Sequence, residues 1–312
     1  MIDVEQIRKN FDGTQALDGF TLHVGAGELF GLVGPNGAGK TTLMKVLSTL
    51  LPMDSGTAQI GGLNVDEQPR DVKRLIGYLP DQPGVYQDMT VREFLEFFAD
   101  AFQLTGSRNR RAVDRALERS GLVDRSSNSV EQLSFGMKQR LVLAKTLLHD
   151  PKVLLLDEPA TGLDPLARID LREQLKQLHA EGVTILISSH ILSDLEDICT
   201  QIALIGAGRN ATDGEGHSVL QLRAPQSPIR IYEIEMLGDD AASAVTMVNS
   251  TAGARTLESS AGRLVVEITG ADEQAAALLR ALVNGGVNVI RFDHRALGLE
   301  ERYRLAFQGR RS

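Results

Sequence analysis

At 312 residues, the chain is long enough for two domains or for one large core with an appendage. Its net charge of −8 argues against general nucleic-acid binding, and its single cysteine, Cys199, excludes a disulfide or a thiolate zinc site within one chain. We expect no signal peptide, and no run approaches the roughly 18 apolar residues that span a bilayer. If the protein works at a membrane, we expect another chain to supply the membrane part.

The first 33 residues alternate apolar and polar side chains in the manner of β-strands. Turn signals at Asp12-Gly13 and at Gly25-Ala26-Gly27 divide this stretch, which predicts a small antiparallel sheet. Phe11 lies in the first turn, where its ring could stack on a nucleotide base or could pack as an ordinary phenylalanine. The residues alone leave both interpretations of Phe11 open.

A glycine-rich loop follows the short apolar strand that ends at Val33. Its pattern, Gly-x-x-x-x-Gly-Lys-Thr between a strand and a helix, is typical of phosphate binding. The glycines let successive N–H groups point toward one anion, and the N-terminus of the following helix adds positive potential. Lys40 brings a charge to the outer phosphates, and the Thr41 hydroxyl can ligate Mg²⁺. The alternative is a glycine-rich turn with a solvated lysine.

After the helix that follows this loop, two strands and two further helices are predicted up to residue 122. The strands are Gln59–Val65, with a turn at its two glycines, and Leu75–Leu79. The helix Thr90–Leu104 begins with a capping box and has a broad apolar face with several phenylalanines. We expect this face to pack in the core, and the alternative is that it docks a partner. The helix Arg108–Leu122 is polar, and we expect its arginines to lie in solvent.

Ser134 and Gly136 lie where a further helix is predicted to begin. Ser134 is a good N-cap residue, and together the two offer a hydroxyl, a close backbone approach and free N–H groups, as a phosphate requires. Simple capping of the helix is the alternative, and it is the better interpretation of these residues taken alone.

The run Val153–Leu156 contains only aliphatic residues, which predicts a strand buried on both faces of a parallel sheet. Asp157 and Glu158 follow it, at the edge where α/β proteins place their ligands. A buried carboxylate is costly unless it is paired or bound to a cation, so we expect Asp157 to hold Mg²⁺. We expect Glu158 to polarise the attacking water. An exposed turn before Pro159 is the alternative.

The strand Val183–Ser188 is predicted to end beside His190, after a turn at 161–165 and another helix. A single histidine is usually structural. At the end of a central strand, however, the N–H of His190 could contact a γ-phosphate. A last strand at Ile202–Ile205 is predicted to close this domain.

In their order, these motifs resemble the ATP-binding subunits of ABC transporters, over residues 1 to about 215. The resemblance implies an α/β P-loop NTPase fold with a RecA-like core, an antiparallel β subdomain and a helical subdomain, and ATP and Mg²⁺ as cofactors. The matching motifs are Walker A (Gly34–Thr41), the signature (Leu133–Gln139), Walker B (Val153–Glu158), the D-loop (Gly162–Asp164), the switch histidine (His190) and the adenine-stacking aromatic (Phe11).

The same resemblance implies roles for individual residues. The implied catalytic residues are Glu158, His190 and Lys40, and the implied metal contacts are Thr41, Asp157 and Gln82. The implied nucleotide contacts are Phe11, Gly34, Pro35, Asn36, Gly37, Ala38, Gly39, Lys40, Thr41, Thr42, Gln82, Ser134, Gly136 and Asp164.

Two motifs depart from the family pattern. The signature, usually Leu-Ser-Gly-Gly-Gln, here reads Leu-Ser-Phe-Gly-Met, which keeps the phosphate-facing Ser134 and Gly136. Asp81 stands where the Q-loop glutamine is expected and Gln82 comes next, so either Gln82 substitutes after a one-residue shift or Asp81 approaches the Mg²⁺. Both departures resemble the ABC-2-type exporter subgroup, which also tends to carry a C-terminal extension.

From residue 228 onward the predicted order is β-α-β-β-α-β, which indicates a small α+β domain of the ferredoxin-like type. The predicted elements are Pro228–Glu235, Asp239–Asn249, Arg255–Glu258, Arg263–Ile268, Asp272–Val283 and Val287–Phe292, with a last helix at Leu299–Phe307. We see no catalytic constellation here and expect an interaction or regulatory domain. The expected division is an ABC ATPase domain at 1–215, a linker at 216–227 and the accessory domain at 228–312.

The resemblance implies two chains facing head to tail as a homodimer, with each ATP enclosed between the Walker motifs of one chain and the signature of the other. It implies a separate integral membrane permease, peripheral attachment at the cytoplasmic face of the cell membrane, and no nucleic-acid partner. The expected function is ATP hydrolysis that drives export. The alternatives are a soluble ABC-type ATPase acting on ribosomes or DNA, and a weakly hydrolysing nucleotide-dependent regulator.

Overall fold

The computed structural model describes residues 1–82, 84–86, 88–212, 218–221, 229–237, 241–269 and 272–295. The chain divides into two compact units between Leu222 and Arg223, and each unit has apolar core clusters of its own. Among the described residues, every helix is too short or too polar to cross a lipid bilayer.

The first unit alternates strands with helices, as expected for an α/β fold. Two short 3₁₀ segments, Val123–Arg125 and Val130–Gln132, precede its fifth helix. Its described elements are β1 (Ile2–Phe11), β2 (Thr14–Val24), β3 (Leu29–Val33), α1 (Lys40–Leu47), β4 (Ser55–Ile60), β5 (Leu63–Asn64), α2 (Pro69–Leu75), β6 (Ile76–Leu79), α3 (Val91–Ala101), α4 (Ser107–Ser120), α5 (Phe135–Thr146), β7 (Val153–Asp157), α6 (Pro165–Ala180), β8 (Thr184–Ser189), α7 (Ser193–Glu196), β9 (Gln201–Gly206), β10 (Arg209–Asn210) and β11 (Val219–Gln221).

A largely parallel sheet forms the centre of this unit, in the order β10-β9-β3-β8-β7-β6, with β11 paired to β9. The strands β3, β7 and β8 are buried along their whole length, because helices and a second sheet cover both faces, as their apolar sequences predict. β8 pairs with β3 on one side and β7 on the other, both in parallel. The carboxyl ends of these three strands therefore meet at one edge of the sheet, where ligands bind in α/β proteins.

An antiparallel sheet in the order β2-β1-β4-β5 packs against α1 and the central sheet. It confirms the sheet predicted from the alternation of the first residues, and the turn between β4 and β5 lies at Gly61 and Gly62, as expected. The helices α3, α4 and α5 share a separate apolar cluster.

The predicted capping box of α3 is present, since Thr90 and Glu93 each bond to the other's backbone N–H. The phenylalanine-rich face of this helix is divided, because Phe94 is buried whereas Phe97 is exposed. On α4 the arginines lie in solvent, and the opposite face packs through Val113 and Leu117.

The second unit has the β-α-β-β-α-β order that the sequence predicted. Its strands form an antiparallel sheet in the order β13-β14-β12-β15, which is the arrangement of a ferredoxin-like fold. The predicted last helix and most of the predicted linker at 216–227 lie outside the described residues. The part of the linker that is described contains β11, which pairs with β9, so the first unit extends beyond the end predicted at residue 215. Its described elements are β12 (Ile229–Met236), α8 (Ala241–Ser250), β13 (Ala254–Ser260), β14 (Arg263–Thr269), α9 (Asp272–Asn284) and β15 (Val289–Arg295).

Candidate active site

A cleft of about 530 Å³ opens at the edge of the central sheet where β3, β7 and β8 end. That volume lies within the range of about 300 to 1,000 Å³ that is common for small-molecule sites. The side chains around it are mostly polar and come from segments far apart in the sequence. The lining residues are Phe11, Thr14, Gln15, Ala16, Asn36, Gly37, Ala38, Gly39, Lys40, Thr41, Thr42, Asp81, Glu158, Thr161 and His190.

The phosphate-binding loop curls between β3 and α1. Gly39, the N-cap residue of α1, has a φ of +107°, and a Cβ at this position would lie 2.5 Å from the Ala16 carbonyl oxygen, so only glycine fits. The first residue of the helix, Lys40, is buried, and its Nζ donates to the carbonyl oxygens of Gly34 (2.7 Å) and Pro35 (3.1 Å). The loop thus fixes a cation and a helix N-terminus at the same end of the cleft.

Asp157 ends β7 and is fully buried. Its Oδ1 accepts a 2.7 Å bond from the Ser188 hydroxyl, and the Thr41 hydroxyl lies close enough to the carboxylate to lower its pKa. Burial raises the pKa of Asp157 above its ordinary value, and these two hydroxyls act in the opposite direction. The other oxygen, Oδ2, is buried and makes no hydrogen bond within the described part of the chain.

These residues fit Mg²⁺. An unpaired carboxylate oxygen beside a threonine hydroxyl supplies the hard oxygen ligands that Mg²⁺ prefers. The described residues contain no group of three or more His, Cys, Asp or Glu side chains arranged around one point. Such a group is not required, because Mg²⁺ at phosphate sites is commonly held by one or two carboxylates together with substrate oxygens and water.

Glu158 lies immediately after β7 with a φ of +50°, a conformation that side-chain-bearing residues rarely adopt. Its N–H donates to the Ser188 hydroxyl at 3.0 Å, which fixes the turned backbone. Its Oε1 lies 3.2 Å from Lys40 Nζ, and its Oε2 lies 2.8 Å from His190 Nδ1 and accepts bonds from the His190 N–H (3.3 Å) and the Thr161 hydroxyl (3.4 Å). Both carboxylate oxygens are therefore held in fixed positions at the cleft.

Phe11 also lines the cleft, and its ring is partly exposed. Lys9 Nζ lies 5.6 Å from the centre of the ring, within the distance of a cation–π contact. An aromatic ring with a free face at a cleft wall suits stacking on a nucleotide base better than core packing.

Asp81, rather than Gln82, lies among the residues that line the cleft. Gln82 is exposed. Asp81 is close enough to Asp157 for its charge to contribute to the raised pKa of that carboxyl group. Of the two alternatives for the Q-loop, this placement favours Asp81 as the residue that faces the metal side of the cleft.

Ser134 and Gly136 lie away from the cleft of their own chain. Ser134 is the N-cap of α5, with its Oγ accepting the Met137 N–H at 3.3 Å, and Gly136 packs against the first turn of α6, where a Cβ would lie 3.2 Å from that of Ala167. Asp164 is also outside the cleft, and its Oδ1 caps α6 by accepting the Ala167 N–H at 2.9 Å. None of these three residues is among those that line the cleft of their own chain.

Two residues that hold the carboxylates of Asp157 and Glu158 were not singled out from the sequence, nor were Thr14, Gln15 and Ala16 in the lining of the cleft. Ser188 connects Asp157 to the backbone of Glu158, and Thr161 bonds to the Glu158 carboxylate. A polar residue near the end of an otherwise apolar strand was a signal for Ser188. Thr161 carried no signal, because its role depends on the turn that follows Glu158.

Comparison with known proteins agrees with this geometry. Residues 17–161 match the family model described as "ABC transporter". The chain is 40% identical over 231 residues to "Nod factor export ATP-binding protein I" of Burkholderia pseudomallei (strain 1710b), an alignment that covers 74% of this chain and 76% of the relative. A protein of the same name in Ralstonia nicotianae is 32% identical over 301 residues, covering 96% of this chain and 92% of the relative.

Among solved structures, the chain is similar to cbiO1 of Clostridium perfringens, described as part of the ABC transporter complex cbiONQ. The two share 31% sequence identity and superpose with a TM-score of 0.61, over 67% of this chain and 85% of that one. Since the similarity to the Ralstonia protein extends over nearly the whole chain, it includes the second unit as well.

Proposed function

The chain belongs to the family of ABC transporter ATP-binding subunits, and from that premise we propose that its cleft hydrolyses MgATP to drive export through a separate membrane permease. The observation that carries the proposal is the position of Glu158. Its two carboxylate oxygens are held by Lys40 and His190, at the end of the strand that also places Asp157 beside the phosphate loop.

In this proposal the phosphate loop and Lys40 bind the β- and γ-phosphates, and Phe11 stacks on the adenine. Mg²⁺, held by Asp157 and Thr41, would neutralise charge on the phosphates and polarise them toward attack. Glu158 orients the attacking water and accepts its proton, since its carboxylate faces the cleft. His190 keeps the Glu158 carboxylate in place through its Nδ1 and contacts the γ-phosphate from the other side of the ring.

Two copies are needed to complete each site. Ser134 and Gly136, which would bind the γ-phosphate, lie outside the cleft of their own chain. The surface around them is apolar for an exposed region: Phe135 is 55% exposed, Leu166 75% and Ile169 50%. We propose that a second copy, facing head to tail, covers this surface and places its own Ser134 at the first copy's cleft.

The proposal includes a permease partner and attachment at the cytoplasmic face of the cell membrane. In support, cbiO1 is described as part of a transporter complex, and the Burkholderia relative is named for export. The exposed Tyr86 and Phe97 lie 5.4 Å apart between ring centres at the surface of α3, where they offer a partner an aromatic contact. The nature of the exported substrate is not part of the proposal, because the permease would contact it.

Glu158→Gln tests the hydrolytic role. The amide keeps the size of the side chain but cannot accept a proton, so we expect phosphate release to fall by roughly 10²- to 10⁴-fold while ATP binding persists. We also expect ATP to hold the variant as a dimer on size-exclusion chromatography, since the nucleotide is not consumed. An unchanged rate of phosphate release would refute the role given to Glu158.

The same measurement separates the alternatives. A soluble ATPase or a weakly hydrolysing regulator would release phosphate at a rate that does not change when membranes containing the co-purified partner are added. A transporter subunit is expected to be stimulated by them.

A further inference from the structure

Arg168, on the first turns of α6, joins two segments that both lie beside the cleft. Its Nε donates to the carbonyl oxygen of Leu163, in the middle of the D-loop, at 3.2 Å. Its Nη1 lies 3.6 Å from Oδ1 of Asp194, on α7. The side chains of Arg168 and Asp194 are 30% and 11% exposed, so water screens this pair less than a surface ion pair. One planar guanidinium thus contacts both segments from a single position.

Each of the two segments leads back to Glu158. Asp194 follows His190 by four residues, and His190 contacts Oε2 of Glu158 through its Nδ1 and its N–H. On the other side, Leu163 follows the turn in which the Thr161 hydroxyl donates to the same oxygen. These contacts and the short chain segments between them form a closed ring. It runs from Glu158 through the D-loop to Arg168, and then through Asp194 and the chain to His190, which contacts Glu158 again.

The geometry points to Arg168 as a positioning residue for hydrolysis, one that fixes the D-loop and the His190 segment relative to each other and so holds the Glu158 carboxylate. This inference rests on the proposed function, because it takes Glu158 to be the group that activates water. Arg168 does not line the cleft and touches no reacting atom. It acts through His190 and the D-loop, with Asp194 as its ionic partner.

The same two helices carry a matched control. Arg172 is one turn further along α6, and its Nη1 donates to Oδ2 of Asp197, just after α7, at 2.7 Å. The pair of Arg172 and Asp197 thus joins α6 to the end of α7, whereas the pair of Arg168 and Asp194 joins α6 to the beginning of α7. Within the described part of the chain, however, the D-loop carbonyl oxygen of Leu163 accepts from Arg168, and no bond joins it to Arg172. If an arginine substitution lowered the rate only by weakening the contact between α6 and α7, substitutions of Arg168 and of Arg172 should therefore lower it equally.

The test compares Arg168→Ala with Arg172→Ala in steady-state ATPase assays on the full chain. For Arg168→Ala we expect kcat to fall by roughly ten- to hundredfold, since small misplacements of catalytic groups have effects of that size, with KM for ATP changed less than about threefold. For Arg172→Ala we expect kcat within about twofold of the wild type. Arg168→Lys keeps the ionic contact with Asp194 and should recover part of the loss.

A double-mutant cycle identifies the route of the effect. If Arg168 acts through His190, the variant Arg168→Ala/His190→Ala should be little slower than His190→Ala alone, because the ring is already open. Arg172→Ala should combine with His190→Ala additively in free energy. Thermal unfolding of each variant shows whether a loss of rate reflects a loss of folded protein.

Three outcomes would overturn the inference: equal kcat for the Arg168 and Arg172 variants, an effect of Arg168→Ala confined to KM, or full additivity with His190→Ala. Failure of the proposed function looks different. In that case the wild type would release no phosphate, or Glu158→Gln would release it normally, before any Arg168 variant is compared.

Discussion

The cleft of the first unit and the β13–β14 strand pair of the second unit hold their charged side chains in opposite ways. At the edge of the central sheet in the first unit, Lys40 and Asp157 are buried, and Glu158 has a strained backbone and a carboxylate that lies 3.2 Å from Lys40. On the β13–β14 pair of the second unit, Arg255 and Glu267 lie directly opposite each other on neighbouring strands and form an ion pair at the surface. Removing charged groups from water and bringing them together from distant segments costs free energy, so such a cluster is typical of a reaction site. An ion pair that stays in contact with water on a sheet surface changes the free energy of folding very little.

The largest effect is expected from removing the buried positive charge of Lys40. Lys40→Met keeps the stem of the side chain but loses its charge, so the phosphates lose their main cationic contact. We expect kcat/KM for ATP to fall by roughly 10²- to 10³-fold in a phosphate-release assay. Lys73→Met, at an exposed lysine of the same unit, is the control and should leave the rate unchanged.

A smaller effect is expected where the signature helix meets the Walker B turn. Gln139 is buried, and its Nε2 donates to the carbonyl oxygen of Pro159 at 2.9 Å. Gln139→Leu leaves that oxygen without a partner, so we expect the free energy of unfolding to fall by about 1–3 kcal/mol in urea titrations. Gln177→Leu, which removes an exposed glutamine, should be close to neutral. Equal losses for the two variants would contradict the importance given to burial.

A pH-dependent effect is expected at His149, behind the central sheet. Burial lowers the pKa of His149 below its ordinary value, and the ring stacks on Phe102 with its Nε2 2.9 Å from the Ile76 carbonyl oxygen. Because the folded state favours the neutral ring, this contribution to stability is present above about pH 6.5 and is lost as the pH falls through the lowered pKa. We expect unfolding titrations from pH 7.5 to pH 5 to show a smaller loss of stability in His149→Gln than in the wild type.

The smallest effect on stability is expected from the ion pair on the sheet of the second unit. A small effect there would support the contrast with the buried charges of the cleft. Arg255→Gln removes a surface ion pair whose partner is Glu267, so we expect the free energy of unfolding to change by less than about 1 kcal/mol. Because the pair is exposed, 1 M salt should abolish most of that difference. ATP hydrolysis should be unaffected, and a large fall in its rate would mean that this sheet face takes part in the reaction.

The elements and the nucleotide-binding motifs were largely predictable from the sequence, because each depends on neighbouring residues. Four aliphatic residues in a row predicted β7, the capping box predicted the start of α3, and the glycine pattern predicted the loop before Lys40. The division of the phenylalanine face of α3 was not predictable, since burial of Phe94 and exposure of Phe97 depend on which helices pack beside it.

The sequence by itself determined which chemical groups the site contains and the strands, loops and helix termini on which they stand. Tertiary structure alone decided that Asp81 rather than Gln82 faces the cleft, that Ser188 joins the two carboxylate residues, and that Arg168 bridges the D-loop to Asp194. The physical reason is the separation along the chain of the residues that determine each feature. A motif is encoded within a few residues, whereas these contacts join segments that come together only after the sheet and its helices have packed.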